Sequence, residues 1–203
     1  MVALRHALTP AERGLALRWV VATTAGWVVG FAVCEAVVKP IVDFLIHFPS
    51  DGAVIGIAIG IGQWLVLNRR INRSRWWIVA SIIGFGVGKD VAGLAVPAMS
   101  GPLGSALGGL AIGTALGVGQ WLVLRRHVPE ARWWILANAI GWSIGWSIIE
   151  LVDSEAAGGV PATAYVVGAI GAIIAGVVTA STLVWLLRRS PGARLPMAST
   201  GDA

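Results

Sequence analysis

Two glutamines pose the first chemical question. Gln63 and Gln120 each stand inside an apolar run, six residues before Arg69 or Arg126. Six helical residues rise about 9 Å, which puts each amide well inside hydrocarbon if the arginines mark a membrane surface. An amide there needs a partner, from another helix or from a ligand. Asn138 lies at similar depth, its repeat equivalent is Ser81, and Thr24 is near the matching place in the first apolar run. Gln63, Gln120, Asn138, Ser81 and Thr24 therefore make a candidate polar layer. Such a layer can bind a polar solute or line a permeation path. It can also hold helices together by hydrogen bonds, worth under ~2 kcal/mol each, and that is the commoner use of amides in bundles.

A second set is charged. Glu35, Glu150 and the adjacent Lys89 and Asp90 lie toward the far ends of their apolar runs from the arginines. They could form an acidic ring guarding a cation path. Interfacial ion pairing competes with that reading, because a charge near the interface costs far less than the ~2.5–3.5 kcal/mol of mid-membrane. Glu35 can pair with Lys39 at i, i+4. Lys89 and Asp90 are of most interest, since both fall short of the end of their run.

Trp19, Trp76, Trp77, Trp133 and Trp134 follow arginines at the start of apolar runs and read as an interfacial aromatic belt. Trp64, Trp121 and Trp185 come one turn deeper, and Trp27, Trp142 and Trp146 deeper still. Other chemistry is sparse. His6, His47 and His127 have no metal spacing, and the single cysteine, Cys34, excludes a disulfide within the chain and a site built on Cys pairs. No nucleophile triad or HExxH is present, and the Gly-rich stretch 101–119 lies in an apolar run with no strand before it, so dinucleotide binding is rejected. No cofactor is expected.

The elements that must position these groups follow from composition. Of 203 residues, 57% are hydrophobic and 12% charged, and mean hydropathy is +0.80. Soluble domains are nearer half apolar and a quarter charged. Six apolar runs emerge, at about 19–38, 53–68, 76–97, 103–124, 133–152 and 162–187; the second only just reaches across a ~30 Å core. The stretch 40–49, bracketed by Pro40 and Pro49, reads as an interfacial helix or re-entrant turn. The net charge of +5 does not point to nucleic acid, because the basic residues cluster between apolar runs. Arg5, Arg13, Arg18, Arg69, Arg70, Arg73, Arg75, Arg125, Arg126, Arg132, Arg188, Arg189 and Arg194 all fall on one side, and only Lys39 and Lys89 on the other. The positive-inside rule then places both termini in the cytoplasm. Anionic lipid headgroups are a natural partner for that face. Thr9-Pro10-Ala11-Glu12 is a capping-box helix start, expected to open a short surface helix. The first apolar run has no cleavage site after it and reads as a retained anchor. Residues 190–203 read as a disordered tail.

The chain also repeats itself. Residues 60–88 read GIGQWLVLNRRINRSRWWIVASIIGFGVG and residues 117–145 read GVGQWLVLRRHVPEARWWILANAIGWSIG, an offset of 57 without a gap. The odd runs carry Gly26 and Gly30, Gly84 and Gly88, Gly141 and Gly145. The even runs carry ridges of small residues every fourth position: Gly52, Gly56 and Gly60; Gly109, Gly113 and Gly117; Gly168, Ala172, Gly176 and Ala180. Such ridges let helix backbones approach closely. The third copy lacks the glutamine. The expected architecture is an all-α integral membrane domain of six spans, three tandem hairpins (about 19–70, 75–126 and 132–189) related by pseudo-threefold symmetry about the membrane normal.

The phrase GxGQWLVLxRR…RWWxxA…G resembles one found in a broad group of small, uncharacterised bacterial polytopic membrane proteins. The resemblance covers residues 18–189; it implies a helical inner-membrane fold and brings no activity with it. Two functions are expected to compete. One is a non-enzymatic accessory or scaffold protein, meeting a membrane-protein partner or a second copy through its glycine ridges. The other is a small transporter or channel-like protein with an axial polar path.

Overall fold

The computed structural model describes residues 7–38, 51–68, 75–95, 101–155 and 161–190. The expectations for 40–49, Lys39, the 69–74 connection, His6, His47 and the tail beyond 190 lie outside them. Among the described residues there are six helices and no strand. They are α1 (Pro10–Val33, continued by a π-helical turn Cys34–Val38), α2 (Asp51–Leu67), α3 (Trp76–Ala95), α4 (Gly101–Leu124), α5 (Trp133–Glu155) and α6 (Pro161–Arg188). Five of them are long and apolar enough to cross a membrane; α2, apolar over Gly52–Leu67, is shorter. Large apolar side chains face outward on all of them, Leu94 at 85% exposure and Ile83 at 60% among them. Water would penalise such a surface and lipid does not. The chain thus has the make-up of a multi-pass helical membrane protein.

α1 starts earlier than the apolar run suggests. Thr9 accepts from the Glu12 amide at 3.3 Å, and the Glu12 carboxylate accepts from the Thr9 amide at 2.8 Å, closing the capping box. The helix then runs unbroken through Arg18 into the apolar stretch, so no separate surface helix forms. Helix propagation adds one bond per residue, and nothing between Pro10 and Val33 interrupts it. Glu12 is buried against the end of α6, where Arg188 grips both carboxylate oxygens at 2.6 and 2.7 Å. Glu12 sits two turns before Trp19, in the arginine-flanked extension of α1 that precedes the apolar run. There the guanidinium of Arg188, aided by the Thr9 amide, holds its carboxyl at about 2 against an ordinary 4.5.

Each helix packs on its neighbours in sequence, and α6 returns to α1 to close a ring. Glycine sets these contacts. A methyl group on Gly26 would come within 2.6 Å of the Ile59 backbone, and one on Gly84 within 2.7 Å of Leu116, joining α1 to α2 and α3 to α4. The ridges make three further seams. A methyl on Gly52 would meet the Lys89 side chain at 2.9 Å, one on Gly56 the Ser81 carbonyl at 2.5 Å, and one on Gly60 the Ser81 side chain at 2.9 Å. Gly109, Gly113 and Gly117 lie against Trp142, Asn138 and Ile135 of α5 in the same manner, Gly168 against the Trp27 ring, and Gly176 against Val20. The ridges are therefore spent inside the bundle, where lipid-driven association depends on such close approach.

Between α4 and α5 the chain turns in eight residues with Val128 and Ala131 buried. Glu130 takes a left-handed conformation (φ 58°), and its carboxylate meets Arg189 at 3.2 Å. Arg189 also lies over the Trp185 ring, 4.2 Å from its centroid, and Arg125 over Trp121 at 4.9 Å.

Candidate functional site

Trp19, Trp77 and Trp134 come from α1, α3 and α5, alternate members of the ring. They meet edge to face, with centroids 5.5–5.9 Å apart, and none is exposed. Three side chains that touch pairwise from alternate helices of a ring fill its middle. The belt reading therefore fails for these three. Trp76 and Trp133, by contrast, are exposed at 55% and 42%. Adjacent helical residues point about 100° apart, so each Trp-Trp pair sends one ring outward and one inward.

Each buried indole is a donor that hydrocarbon cannot satisfy. Trp77 Nε1 donates to Gln63 Oε1 at 2.9 Å, Trp134 Nε1 to Gln120 Oε1 at 2.9 Å, and Trp19 Nε1 to Thr179 Oγ1 at 3.0 Å. In every case the acceptor is on the even-numbered helix that precedes the tryptophan around the ring. The glutamine amides then reach the other way. Gln63 Nε2 donates to Thr23 Oγ1 at 3.0 Å, and Gln120 Nε2 to Ser81 Oγ at 3.0 Å. Gln120 Nε2 also donates to Gln63 Oε1 at 2.9 Å, joining the two networks. Ser81 Oγ donates back to the Trp77 carbonyl, Asn138 Nδ2 to the Trp134 carbonyl, and Thr179 Oγ1 to the Ala175 carbonyl. Gln63, Gln120, Ser81, Asn138, Thr23 and Thr179 are all buried.

Of the expected polar layer the structure joins Gln63, Gln120 and Ser81 by hydrogen bonds, while Asn138 bonds to its own helix; there is one replacement and one addition. Thr24 does not join it: its hydroxyl is buried with no partner, and the neighbouring Thr23 takes the place. Thr23 stands four residues after Trp19, as Ser81 does after Trp77 and Asn138 after Trp134, so that each pair shares one helix face. The addition is Thr179, which fills the position of the missing third glutamine. It lies 59 residues after Gln120 where Gln120 lies 57 after Gln63, so a two-residue slip conceals it from a fixed-period comparison.

Apolar packing closes the layer from both ends. On the arginine side Leu67, Leu124, Leu183 and Leu186 are buried around the tryptophans. On the other side Ile59, Ile112 and Leu116 lead to Phe85 and Trp142, which meet edge to face at 5.4 Å, and to Trp27.

Glu150 accepts from Ser105 Oγ at 3.0 Å, and Lys89 Nζ lies 5.8 Å from the Trp146 centroid. Asp90 is exposed on the outer surface of the bundle, and Glu35 is half-buried in the π-helical turn. Asp90 therefore lines no axial route. No group of three or more His, Cys, Asp or Glu side chains that could hold a metal occurs among the described residues. No protein-family model, curated protein or solved structure matches the chain.

Proposed function

We propose that the chain is a non-enzymatic integral membrane protein of the accessory or scaffold kind. In this reading it belongs with the small bacterial inner-membrane proteins that its repeated phrase resembles. It has six spans as three hairpins around a pseudo-threefold axis, with both ends and the arginine-rich face in the cytoplasm. The observation that carries the reading is the closure of the polar layer upon itself. The amides and indoles that a permeation path would need are bonded to one another, and fully buried Trp, Leu and Phe side chains lie above and below them. A polar group already bonded in low dielectric gives up that bond before it serves a solute. The glycine ridges serve the bundle itself, so a membrane-protein partner or second copy would meet the outward apolar faces instead.

The test is flux through liposomes reconstituted with wild type and with the double variant Gln63→Leu, Gln120→Leu. We expect neither to exceed protein-free liposomes for small ions and neutral polar solutes, while cross-linking in native membranes captures a stoichiometric protein partner or second copy. Flux in the wild type that the double variant loses would put the transporter reading in its place.

A further inference from the structure

The outer surface of the bundle carries a cleft of about 1060 Å³ between α3 and α4, lined along α3 from Trp76 to Val87 and ending just past α4 at Arg126 and His127. Its floor is made of small residues, Ala80 and Gly84 on α3 and Ala115 and Gly119 on α4. The two backbones approach so closely there that a methyl on Gly119 would meet the Ala80 carbonyl at 2.7 Å. Ile83 and Leu122, both exposed, stand as its walls.

Length, lining and charge select an occupant. Trp76 to Val87 is eleven helical steps, about 16 Å of helix, which is half of a ~30 Å hydrocarbon core and so one leaflet deep. The volume slightly exceeds the ~300–1,000 Å³ of clefts that hold small ligands. The apolar floor and walls suit acyl chains. At the mouth Arg126 is exposed and has no ion pair or hydrogen bond with any described residue, while His127 has Nδ1 3.2 Å from the Val123 carbonyl. A guanidinium with no partner among the described residues, at the headgroup level, is complementary to a phosphate diester. We propose that this cleft holds one anionic phospholipid of the arginine-side leaflet, its phosphate on Arg126 and an acyl chain over Gly84 and Gly119. The proposal rests on the membrane reading and is independent of the scaffold one.

The same place in the third hairpin is built otherwise. With the two-residue slip, Ile174 and Val178 stand where Ala115 and Gly119 stand, and Trp185 replaces Arg126. Trp185 packs edge to face on Trp133 at 6.4 Å. Bulk stands where the floor of the trough would be, and the guanidinium at that mouth, Arg189, lies over Trp185 and is already paired with Glu130.

The experiment is native mass spectrometry of the full-length protein in mild detergent with phosphatidylglycerol or phosphatidylcholine added. Variants are Arg126→Gln, Arg125→Gln and Ile83→Trp, each checked for wild-type helicity and elution. Arg125 is the matched control, since it carries the same charge one residue away but stacks on Trp121 outside the cleft. We expect one retained phosphatidylglycerol, held in preference to phosphatidylcholine. Arg126→Gln should lower its retention about fivefold, the equivalent of ~1 kcal/mol for one basic residue near an anionic surface. Arg125→Gln should leave retention unchanged and Ile83→Trp should displace the lipid. Equal losses from Arg125→Gln and Arg126→Gln, indifference to headgroup charge, or displacement by millimolar inorganic phosphate would each overturn the cleft while leaving the membrane reading intact. Failure to retain any lipid or to partition into bilayers would sink the membrane reading itself.

Discussion

Trp19 and Thr179 stand 160 positions apart in the chain, yet the indole N–H of one lies 3.0 Å from the hydroxyl oxygen of the other. This contact links the first helix to the last in the same way that Trp77 meets Gln63 and Trp134 meets Gln120. It is where the ring of helices closes. Replacing Thr179 with Val keeps the shape and strands a buried indole donor. An interhelical bond in membranes averages about 0.6 kcal/mol and reaches ~1.7, so a loss of about 1 kcal/mol is expected in reversible unfolding in mixed micelles. The Trp19 indole resonance should move while that of Trp77 stays. Thr182→Val is the control, because the Thr182 hydroxyl bonds only to its own helix at Val178. Equal behaviour of the two variants would mean that the Trp19 contact does not matter.

Glycines should divide sharply by what faces them. A methyl on Gly56 would sit 2.5 Å from the Ser81 carbonyl, so Gly56→Ala must push α2 and α3 apart. Overpacking of this kind costs about 1–3 kcal/mol. Gly93 has nothing within 4 Å of the same added methyl. Gly93→Ala should be neutral or stabilising, since alanine is the better helix former by up to ~1 kcal/mol. Thermal unfolding of the two variants side by side decides the matter, and similar midpoints would refute the packing account.

The Glu12–Arg188 pair should make stability depend on acid. The Glu12 carboxyl titrates at about 2 in the folded protein against 4.5 when free of its partner, because Arg188 and the Thr9 amide favour its charged form. A depressed folded value stabilises the protein above pH 4.5 and ceases to do so as pH falls toward 2. Glu12→Gln removes the charge and keeps a residue that can complete a capping box. Wild type should melt higher than this variant by a constant margin from pH 7 to about 5. The margin should close between pH 4.5 and 2. A margin that persists at pH 2 would show that the charge is not its source.

Much of this arrangement was legible in the residues themselves. The apolar runs marked the helices to within a few positions, apart from the long N-terminal extension of α1, and the glutamines announced a buried polar layer because hydrocarbon offers them no other partner. Thr23 was obscured by Thr24 beside it; only the spacing of four from Trp19, matching Ser81 to Trp77, distinguishes the two. Thr179 was obscured by the two-residue slip in the last hairpin. The inward tryptophans were obscured by their outward neighbours, Trp76 and Trp133, since a belt and a core both begin with Arg-Trp-Trp. Spacing marked the glycine ridges as close-packing faces but could not say against what. That depends on how the helices are arranged around the ring, and it proved to be the protein's own helices.

In the function proposed above, the polar layer is a closed structural core and no solvent path. Cysteine accessibility at Ser81 tests it most directly, since Ser81 is fully buried at the centre of the network and accepts from Gln120. In a Cys34→Ala background, Ser81→Cys and the exposed-loop control Glu130→Cys would be treated with a charged methanethiosulfonate reagent in membranes open on both sides. Complete modification is expected at position 130 and none above background at position 81. Modification of position 81 from the aqueous phase at a rate approaching that of position 130 would contradict it.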